Sequence, residues 1–146
     1  MKVRQASIGD LTQLTGLFDG YRQFYGQKSD VVAARRFLSD RFEHQQSVIF
    51  IANDGETGLG FTQLYPSFSS TRMTRTLILN DLYVIPDARK RGVAKALLSA
   101  ATDYARQIGA VRLSLSTAND NLSAQALYEA DGWVREALFV GYNKSL

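Results

Sequence analysis

A basic segment around a glycine contains the residues whose types and spacing most directly indicate chemistry. It follows an apolar run that ends near Pro86 and consists of Arg89, Lys90, Arg91, Gly92, Val93, Ala94 and Lys95. The pattern predicts a strand end, a short turn and a helix that begins at about Val93. Helix beginnings carry unpaired amides and positive dipole ends, which bind phosphate, and Gly92 allows close backbone approach. The segment therefore predicts an anion site, with a solvated basic turn as the alternative.

A second candidate is the carboxylate in the apolar run just before this segment. The run Leu77–Val84 is interrupted only by Asn80 and Asp81. Burial in such a strand raises a carboxyl pKa and suits a general base. Neighbouring strand residues face opposite sides, so Asp81 replaces a carboxylate at position 80 only if a bulge re-aims it. Asp81 has either this catalytic role or a structural hydrogen-bonding role.

Composition excludes several other chemistries. The 146 residues include no cysteine, so disulfides, thiolate nucleophiles and cysteine-based zinc sites are absent. His44 is the single histidine and its polar neighbours predict a solvated helix end, so we expect neither a histidine triad nor a metal site. A net charge of +3 falls short of a nucleic-acid-binding surface, and no nucleic-acid partner is predicted.

The hydropathy of the chain indicates the cell compartment in which the protein is expected. No stretch reaches the roughly 18 apolar residues of a membrane span, and the first residues lack the apolar core of a signal peptide. We therefore expect a cytoplasmic protein without a membrane partner.

Hydrophobic periodicity predicts alternating strands and helices in one domain, residues 1–146. Helical spacing predicts helices after Asp10, over Val31–Phe42 and later in the chain, and β-forming runs predict the strands. The expected strands are Val3–Ala6, Ser47–Ala52, Gly58–Tyr65, Thr74–Val84, Val111–Thr117 and one or two within Trp133–Leu146; the later helices are Val93–Ile108 and Leu122–Ala130. This order predicts an α/β (α+β) fold with a mixed, mostly antiparallel central sheet, a parallel β-α-β unit and helices on both faces.

The same segments resemble the GNAT superfamily of N-acetyltransferases. Arg89–Ala94 fits its Arg/Gln-x-x-Gly-x-Gly/Ala signature, and Leu82–Pro86 is similar to the strand end that precedes it. Asn121–Tyr128 resembles its Asn-x-x-Ala-x-x-Leu-Tyr helix, and Gly132-Trp133 stands where the family usually has Gly-Phe. The resemblance covers nearly the whole chain and is most specific in residues 79 to 133.

The resemblance implies acetyl-CoA as cofactor. The amides of Arg91 to Lys95 would hold its pyrophosphate, and the basic side chains of the turn, Arg89 and Lys90 included, would add positive charge. Its pantetheine arm would lie beside the backbone of Leu82, Tyr83 and Val84, where two parallel strands separate. Asn121 would lie near the pantetheine.

The resemblance also implies direct acetyl transfer to an amine, without a covalent acetyl-enzyme. Tyr128 would be the general acid that protonates the departing sulfur; a structural tyrosine is the alternative. Polyamine-type members often carry Leu-Glu-Asp in the central strand, and here Asn80 takes the position of that glutamate. The proton acceptor is therefore Asp81, directly or through water, unless the amine arrives neutral.

Aromatic residues from two regions predict the acceptor pocket. Tyr21, Phe24 and Tyr25 end the first helix, and Tyr65 and Phe68 precede the central strand; a core role is the alternative. Polyamines, amino-acid or peptide amines, aminoglycosides and xenobiotic amines all remain open as acceptors, and a homodimer is possible. The rival functions are a non-catalytic acyl-CoA-sensing or interaction module on the same fold and an RNA- or nucleotide-binding domain.

Overall fold

A computed structural model describes residues 1–146 as five strands and four α-helices. The elements are β1 (Lys2–Gln5), α1 (Leu11–Phe24), α2 (Val31–Glu43), β2 (Val48–Asp54), β3 (Thr57–Ser69), β4 (Thr74–Val84), α3 (Val93–Gln107), β5 (Leu113–Ser114) and α4 (Leu122–Ala130). The chain divides into two compact units, Met1–Ser116 and Thr117–Leu146. None of the helices combines the length and the apolar character that crossing a bilayer requires.

The first unit contains one five-stranded sheet. Its strands lie in the order in which they occur in the sequence, β1-β2-β3-β4-β5. The first three pairings are antiparallel, whereas β4 and β5 are parallel and α3 connects them. This confirms the predicted mixed, mostly antiparallel sheet with one β-α-β unit, because a parallel neighbour requires such a crossover.

Helices cover both faces of this sheet, as predicted. The alternation of β2 shows the division: Ile49 and Ile51 lie in the buried cluster with α1 and α2, together with Phe61 of β3. Phe50 points to the opposite face, where its ring centroid lies 5.8 Å from that of Tyr104 in α3. Successive strand residues therefore contribute to two cores, one beneath α1 and α2 and one beneath α3.

Aspartates begin both of the first two helices. Asp10 precedes α1. Its carboxylate accepts a hydrogen bond from the Ser7 amide at 2.9 Å and one from each terminal nitrogen of the Arg4 guanidinium at 2.8 and 2.7 Å. Asp30 precedes α2 and accepts the Ala33 amide at 3.0 Å. Asp30 thereby satisfies an amide that has no partner within α2, whereas Asp10 bonds the amide that precedes the 3₁₀ turn Ile8–Asp10 and caps no amide of α1. α1 carries Tyr21 toward the sheet.

Two of the sequence predictions need correction. The predicted strand Val111–Thr117 is reduced to Leu113–Ser114. The prediction of one or two strands within Trp133–Leu146 is wrong, because this segment forms no strand. The amides of Leu138 and Phe139 donate to the Glu136 carboxylate at 2.6 and 3.0 Å, a local bonding pattern that competes with a sheet ladder. β-forming residues specify a strand only where a neighbouring backbone pairs with them.

Candidate functional site

The turn between β4 and α3 has the backbone geometry of an anion site. A short 3₁₀ turn, Pro86–Ala88, follows β4, and Lys90 and Gly92 then adopt positive φ angles of 59° and 82°. Left-handed residues beside a helix start turn consecutive amides toward one point. Gly92 is suited to this conformation because a Cβ atom would strain it.

The first amides of α3 have no acceptor within the protein. The first backbone bond of the helix runs from the Ala96 amide to the Gly92 carbonyl at 3.0 Å, and no side chain caps this end. The amides of Val93, Ala94 and Lys95 are therefore available to a ligand. An ideal Cβ atom built on Gly92 meets no other atom within 4 Å, so the approach is open. The donor set fits a phosphate group, which the helix dipole also favours.

The cations of this turn are not equivalent. Arg89 donates from Nε to the Val84 carbonyl at 2.9 Å, and its guanidinium lies 5.4 Å from the ring centroid of Phe24 and 5.8 Å from that of Tyr83. Arg89 thus connects the turn with Phe24 at the end of α1. Lys90, Arg91 and Lys95 are exposed, and none of them forms an ion pair with a carboxylate. These three are the cations best placed to accompany an anion.

The strand before this turn has a free edge on the side of β5. The parallel pairing of β4 and β5 consists of Leu77 with Leu113 and Ile78 with Ser114. β4 continues to Val84 without a partner on that side, so the backbone of Leu82, Tyr83 and Val84 lies beyond the paired region. A strand edge of this kind offers a row of hydrogen-bonding groups to an extended molecule.

A β-bulge at Asn80 aims Asp81 at the face covered by α1 and α2. Gln63 of β3 pairs with Asp81, whereas the next residue, Leu64, pairs with Leu79, so Asn80 is the extra residue. Paired residues share a face and consecutive residues do not. Leu79 and Asp81 therefore point to opposite faces although they lie two positions apart. The bulge by which Asp81 can take the place of a carboxylate at position 80 is present.

Asp81 is a buried carboxylate held by two amide side chains. Only 2% of it is exposed. Gln63 donates to Oδ2 at 2.5 Å and Asn80 donates to Oδ1 at 2.8 Å. Burial raises the pKa of the Asp81 carboxyl above its ordinary value, and the hydrogen bonds from Asn80, Gln63 and Tyr21 oppose this rise. A carboxyl with a raised pKa is suited to exchanging a proton near neutral pH.

Two of the predicted acceptor tyrosines border this carboxylate. The Tyr21 hydroxyl donates to the Asn80 carbonyl at 3.3 Å, and burial followed by the charge of Asp81 raises the pKa of its phenol. The same two causes, in the same order, raise the pKa of Tyr65 to about 12. Both phenols stay protonated at neutral pH and can donate or accept hydrogen bonds. Tyr25 lies farther out, with 53% of its surface exposed and its ring centroid 5.0 Å from that of Tyr21.

Phe68 does not join this group. It pairs with Arg75 near the end of the β3–β4 hairpin and borders a separate open depression with Met73 and Ile108. Of the aromatic residues that the sequence singled out, Tyr21 and Tyr65 are therefore those whose phenol pKa the charge of Asp81 raises.

The second unit contains the remaining two predicted residues. Asn121 caps α4, and its Oδ1 accepts the Ala124 amide at 3.1 Å. The Tyr128 ring lies 6.1 Å from that of Trp133, whose amide donates to the Tyr128 carbonyl at 3.0 Å. The motif that the sequence identified is thus a capped helix with an aromatic pair at its end.

Sequence reasoning missed Gln63, a central part of the site. Gln63 is fully buried, donates to Asp81 and accepts from the Ser47 hydroxyl at 2.8 Å. The available signal was a glutamine within the apolar strand run before Tyr65, since a buried amide needs a polar partner.

Comparison with known proteins identifies the class. An amide-lined helix start, an unpaired strand edge and a buried carboxylate are together suited to a phosphate-containing ligand and to proton exchange. The family model of the acetyltransferase (GNAT) family matches residues 14–133, and the chain belongs to this family.

Two relatives match over nearly the whole chain. An uncharacterized N-acetyltransferase of Bacillus subtilis (strain 168), YhfO, is 49% identical over 97% of this chain and 95% of its own length. The crystal structure of a probable acetyltransferase is 42% identical, with a TM-score of 0.95, and the alignment covers 100% of this chain and 98% of that chain.

A third structure shares the fold at lower identity. The aminoglycoside N-acetyltransferase AAC(6')-Iy in complex with CoA has a TM-score of 0.82 and 20% identity, covering 99% of this chain and 95% of that chain. Members of the GNAT family bind acetyl-CoA, which is the cofactor of this chain.

Proposed function

We propose that this protein is an N-acetyltransferase that acetylates a primary amine of a small molecule or peptide by direct attack in a ternary complex. Acetyl-CoA supplies an acetyl group activated as a thioester. The amides of Val93, Ala94 and Lys95 hold its diphosphate, and the edge of β4 at Leu82–Val84 holds its pantetheine arm. The open amides and the free strand edge described above support this assignment.

The observation that carries the proposal is the buried carboxylate of Asp81 beside two protonated phenols. An amine in water is mostly an ammonium ion and must lose a proton before its nitrogen can attack. Asp81 accepts that proton, because burial raises the pKa of its carboxyl and so favours the protonated form. Tyr21 and Tyr65 then hold the neutral amine through their hydroxyl groups.

Tyr128 supplies the second proton transfer in this proposal. The bond between nitrogen and the acetyl carbon forms, the carbon–sulfur bond breaks, and the phenol donates its proton to the departing sulfur. The nitrogen then loses its surplus proton, which restores the phenol directly or through water. A phenol is a competent donor to a thiolate, and a free thiol is the product. The match of Asn121–Tyr128 to the family motif supports this role.

The alternative of a non-catalytic acyl-CoA sensor is not favoured. A sensor needs the amide-lined turn but has no use for a carboxylate that is 2% exposed in a polar cluster. Burying such a group carries an energetic cost that catalysis would explain. The aminoglycoside enzyme of the same fold acts on amines, and its relation to this chain supports the fold alone.

A thiol-release assay with acetyl-CoA and a panel of amines tests the proposed function. We expect release that depends on an amine, and we expect Tyr128→Phe to lower kcat by about 10²-fold because it removes one proton transfer. Cofactor binding by the same variant, measured by calorimetry, should stay close to that of the unmodified protein. Equal turnover by the variant would remove Tyr128 from the mechanism. If none of the amines in the panel leads to thiol release, the result would favour the sensor.

A further inference from the structure

Arg89, in the turn between β4 and α3, has its side chain placed against the end of α1. Its Nε donates to the Val84 carbonyl at 2.9 Å. Its guanidinium carbon lies 5.4 Å from the ring centroid of Phe24 and 5.8 Å from that of Tyr83. A guanidinium attracted to two aromatic rings and bonded to its own strand is held in one orientation. Arg89 therefore joins three elements, β4, the turn and α1.

The Val84 carbonyl that Arg89 contacts lies on the free edge of β4. The Ile85 amide donates to the Leu59 carbonyl of β3 at 2.9 Å, and the preceding residue, Val84, lies opposite Gly60. Because hydrogen-bonded and non-hydrogen-bonded pairs alternate in an antiparallel ladder, the carbonyl of Val84 points away from β3. Arg89 thus takes up the last carbonyl of this edge, where the strand ends and the turn with its open amides begins.

Helix α1 packs closely on Tyr83 one turn before Phe24. An ideal Cβ atom built on Gly20 would lie 2.9 Å from the Tyr83 hydroxyl, so a larger residue at this position would displace the ring. Tyr83 follows Asp81 by two residues in a regular part of β4, and both side chains therefore point to the face that α1 covers. The Tyr83 ring consequently lies between α1 and the guanidinium of Arg89.

A series of aromatic contacts continues from Phe24 to the acceptor side. The ring centroids of Phe24 and Tyr25 lie 5.3 Å apart, and those of Tyr25 and Tyr21 lie 5.0 Å apart. The Tyr21 hydroxyl donates to the carbonyl of Asn80, the bulge residue beside Asp81, at 3.3 Å. This bond is longer than usual for a hydroxyl donor, so a small shift of α1 would break it. The position of Tyr21 therefore depends on where the last turn of α1 is held.

We propose that Arg89 is a positioning residue, which couples the diphosphate end of the cofactor to the acceptor side by holding the end of α1 against the turn. The proposal deepens the proposed function and rests on it, because it takes Tyr21 as a residue that holds the amine. Coenzyme A fixes the turn and with it Arg89, whose contacts with Phe24 and Tyr83 then hold the last turn of α1. The resemblance implied that Arg89 adds charge for the phosphates; in this proposal its side chain acts on amine binding.

Steady-state kinetics of Arg89→Met and Lys90→Met test this assignment, because each variant removes one cation from the turn. Arg89→Met should raise the KM for the amine about 5- to 20-fold, as expected for the loss of a cation–π contact and a hydrogen bond. Its dissociation constant for coenzyme A should change by less than about 2-fold. Lys90→Met should show the opposite result, with coenzyme A bound a few-fold more weakly and the KM for the amine unchanged.

Arg89→Lys separates positioning from charge. Lysine keeps the positive charge but has neither the Nε donor nor the planar group that lies against the two rings. The variant should therefore retain most of the rise in the KM for the amine. Full recovery in Arg89→Lys would show that charge alone matters and would overturn the proposal.

Phe24→Leu tests whether Arg89 acts through the end of α1. Leucine keeps an apolar side chain at this largely exposed position and removes the ring that the guanidinium contacts. The KM for the amine should rise as in Arg89→Met, and the double variant should be little worse than either single variant. Additive effects would mean that the two residues act independently, which would contradict the proposal.

Hydrogen–deuterium exchange provides a measurement that needs no turnover. The amides of Tyr25, Gly26 and Gln27 donate to the last carbonyls of α1 and exchange when this end opens. Saturating coenzyme A should slow their exchange at least about 3-fold in the unmodified protein but not in Arg89→Met. The Gln46 amide, which donates to a carbonyl near the end of α2, should exchange at the same rate with and without coenzyme A.

The two kinds of measurement distinguish failure of this proposal from failure of the proposed function. If no amine is acetylated, the proposed function fails, and slower exchange that depends on Arg89 would still support the link between the turn and α1. Three results would overturn the proposal: no slowing at the end of α1 in the unmodified protein, slowing that persists in Arg89→Met, or an unchanged KM for the amine in Arg89→Met.

Discussion

The two halves of the candidate site are built in different ways. The turn from Val84 to Lys95 is one continuous segment, and backbone amides provide its binding groups. The acceptor side is assembled from α1, β3 and β4, and side chains provide its groups. Tyr21, Gln63 and Asp81 lie far apart in the sequence and meet only because the sheet folds beneath α1.

This difference predicts how each half tolerates substitution. A site made of backbone amides depends on conformation, so most side-chain changes leave its donors in place. A site made of side chains loses a donor or acceptor with each change, and the remaining buried groups are then unpaired. Changes at the acceptor side should therefore be more damaging than conservative changes in the turn.

Asp81→Asn should have the largest effect. An amide cannot accept the proton of the amine, so we expect kcat/KM to fall by about 10²–10⁴-fold. In the unmodified protein the rate should rise with pH through the raised pKa of Asp81, because only the ionised form is a base. That acid limb should be absent in the variant, as measured by the pH dependence of kcat/KM. Asp54→Asn, at an exposed aspartate that ends β2, is the matched control.

Gly92→Glu tests the turn, the half of the site whose binding groups are backbone amides. The substitution places a side chain and a negative charge where the diphosphate is expected, so we predict about 10- to 100-fold weaker CoA binding by calorimetry. Gly92→Ala adds only strain at a φ of 82° and should weaken binding by a few-fold. Gly109→Ala places the same strain at the other end of α3, where φ is 76°, and should leave CoA binding unchanged. Equal affinity of all three variants would move the cofactor away from this turn.

The same contrast explains what the sequence could predict. The turn was predictable because the end of β4, the basic residues and Gly92 are adjacent, and local rules apply to each. The face of Asp81 was not predictable. It depends on a bulge whose position is set by the register between β3 and β4, and register is not encoded locally.

The C-terminal segment shows the limit of propensity. Val134, Val140 and Tyr142 favour strands, yet the segment forms none, and their side chains are largely exposed. Whether a β-former becomes a strand depends on a partner that the local sequence does not specify. α1 and α3, in contrast, were predicted almost to their ends, since their apolar periodicity and their start and stop residues agree.

Gln63→Leu sharpens the account of the acceptor side. The Gln63 amide stabilises the ionised form of Asp81, so its removal should raise the pKa of the carboxyl further. The acid limb of the pH–rate profile should then move to higher pH, with a few-fold loss of rate at neutral pH. Ser47→Ala removes only the bond that orients Gln63 and should give a smaller shift in the same direction. A profile that stays in place would show that Gln63 has only a packing role.

Asp10→Asn should change the stability of the fold without changing the chemistry at either half. Arg4 lowers the pKa of the Asp10 carboxyl from 3.8 to about 2, so the ionised form stabilises the folded state above pH 3.8, and this contribution is lost as the pH falls toward 2. Water around Arg4 screens the pair, and we expect a loss of about 1 kcal/mol in the free energy of unfolding at neutral pH. Denaturation of both proteins at pH 7 and pH 2 should show that the difference disappears in acid. Asp103→Asn breaks an exposed pair with Arg106 at 3.9 Å and should have no measurable effect. A loss of activity in Asp10→Asn at full stability would mean that the start of α1 also positions Tyr21.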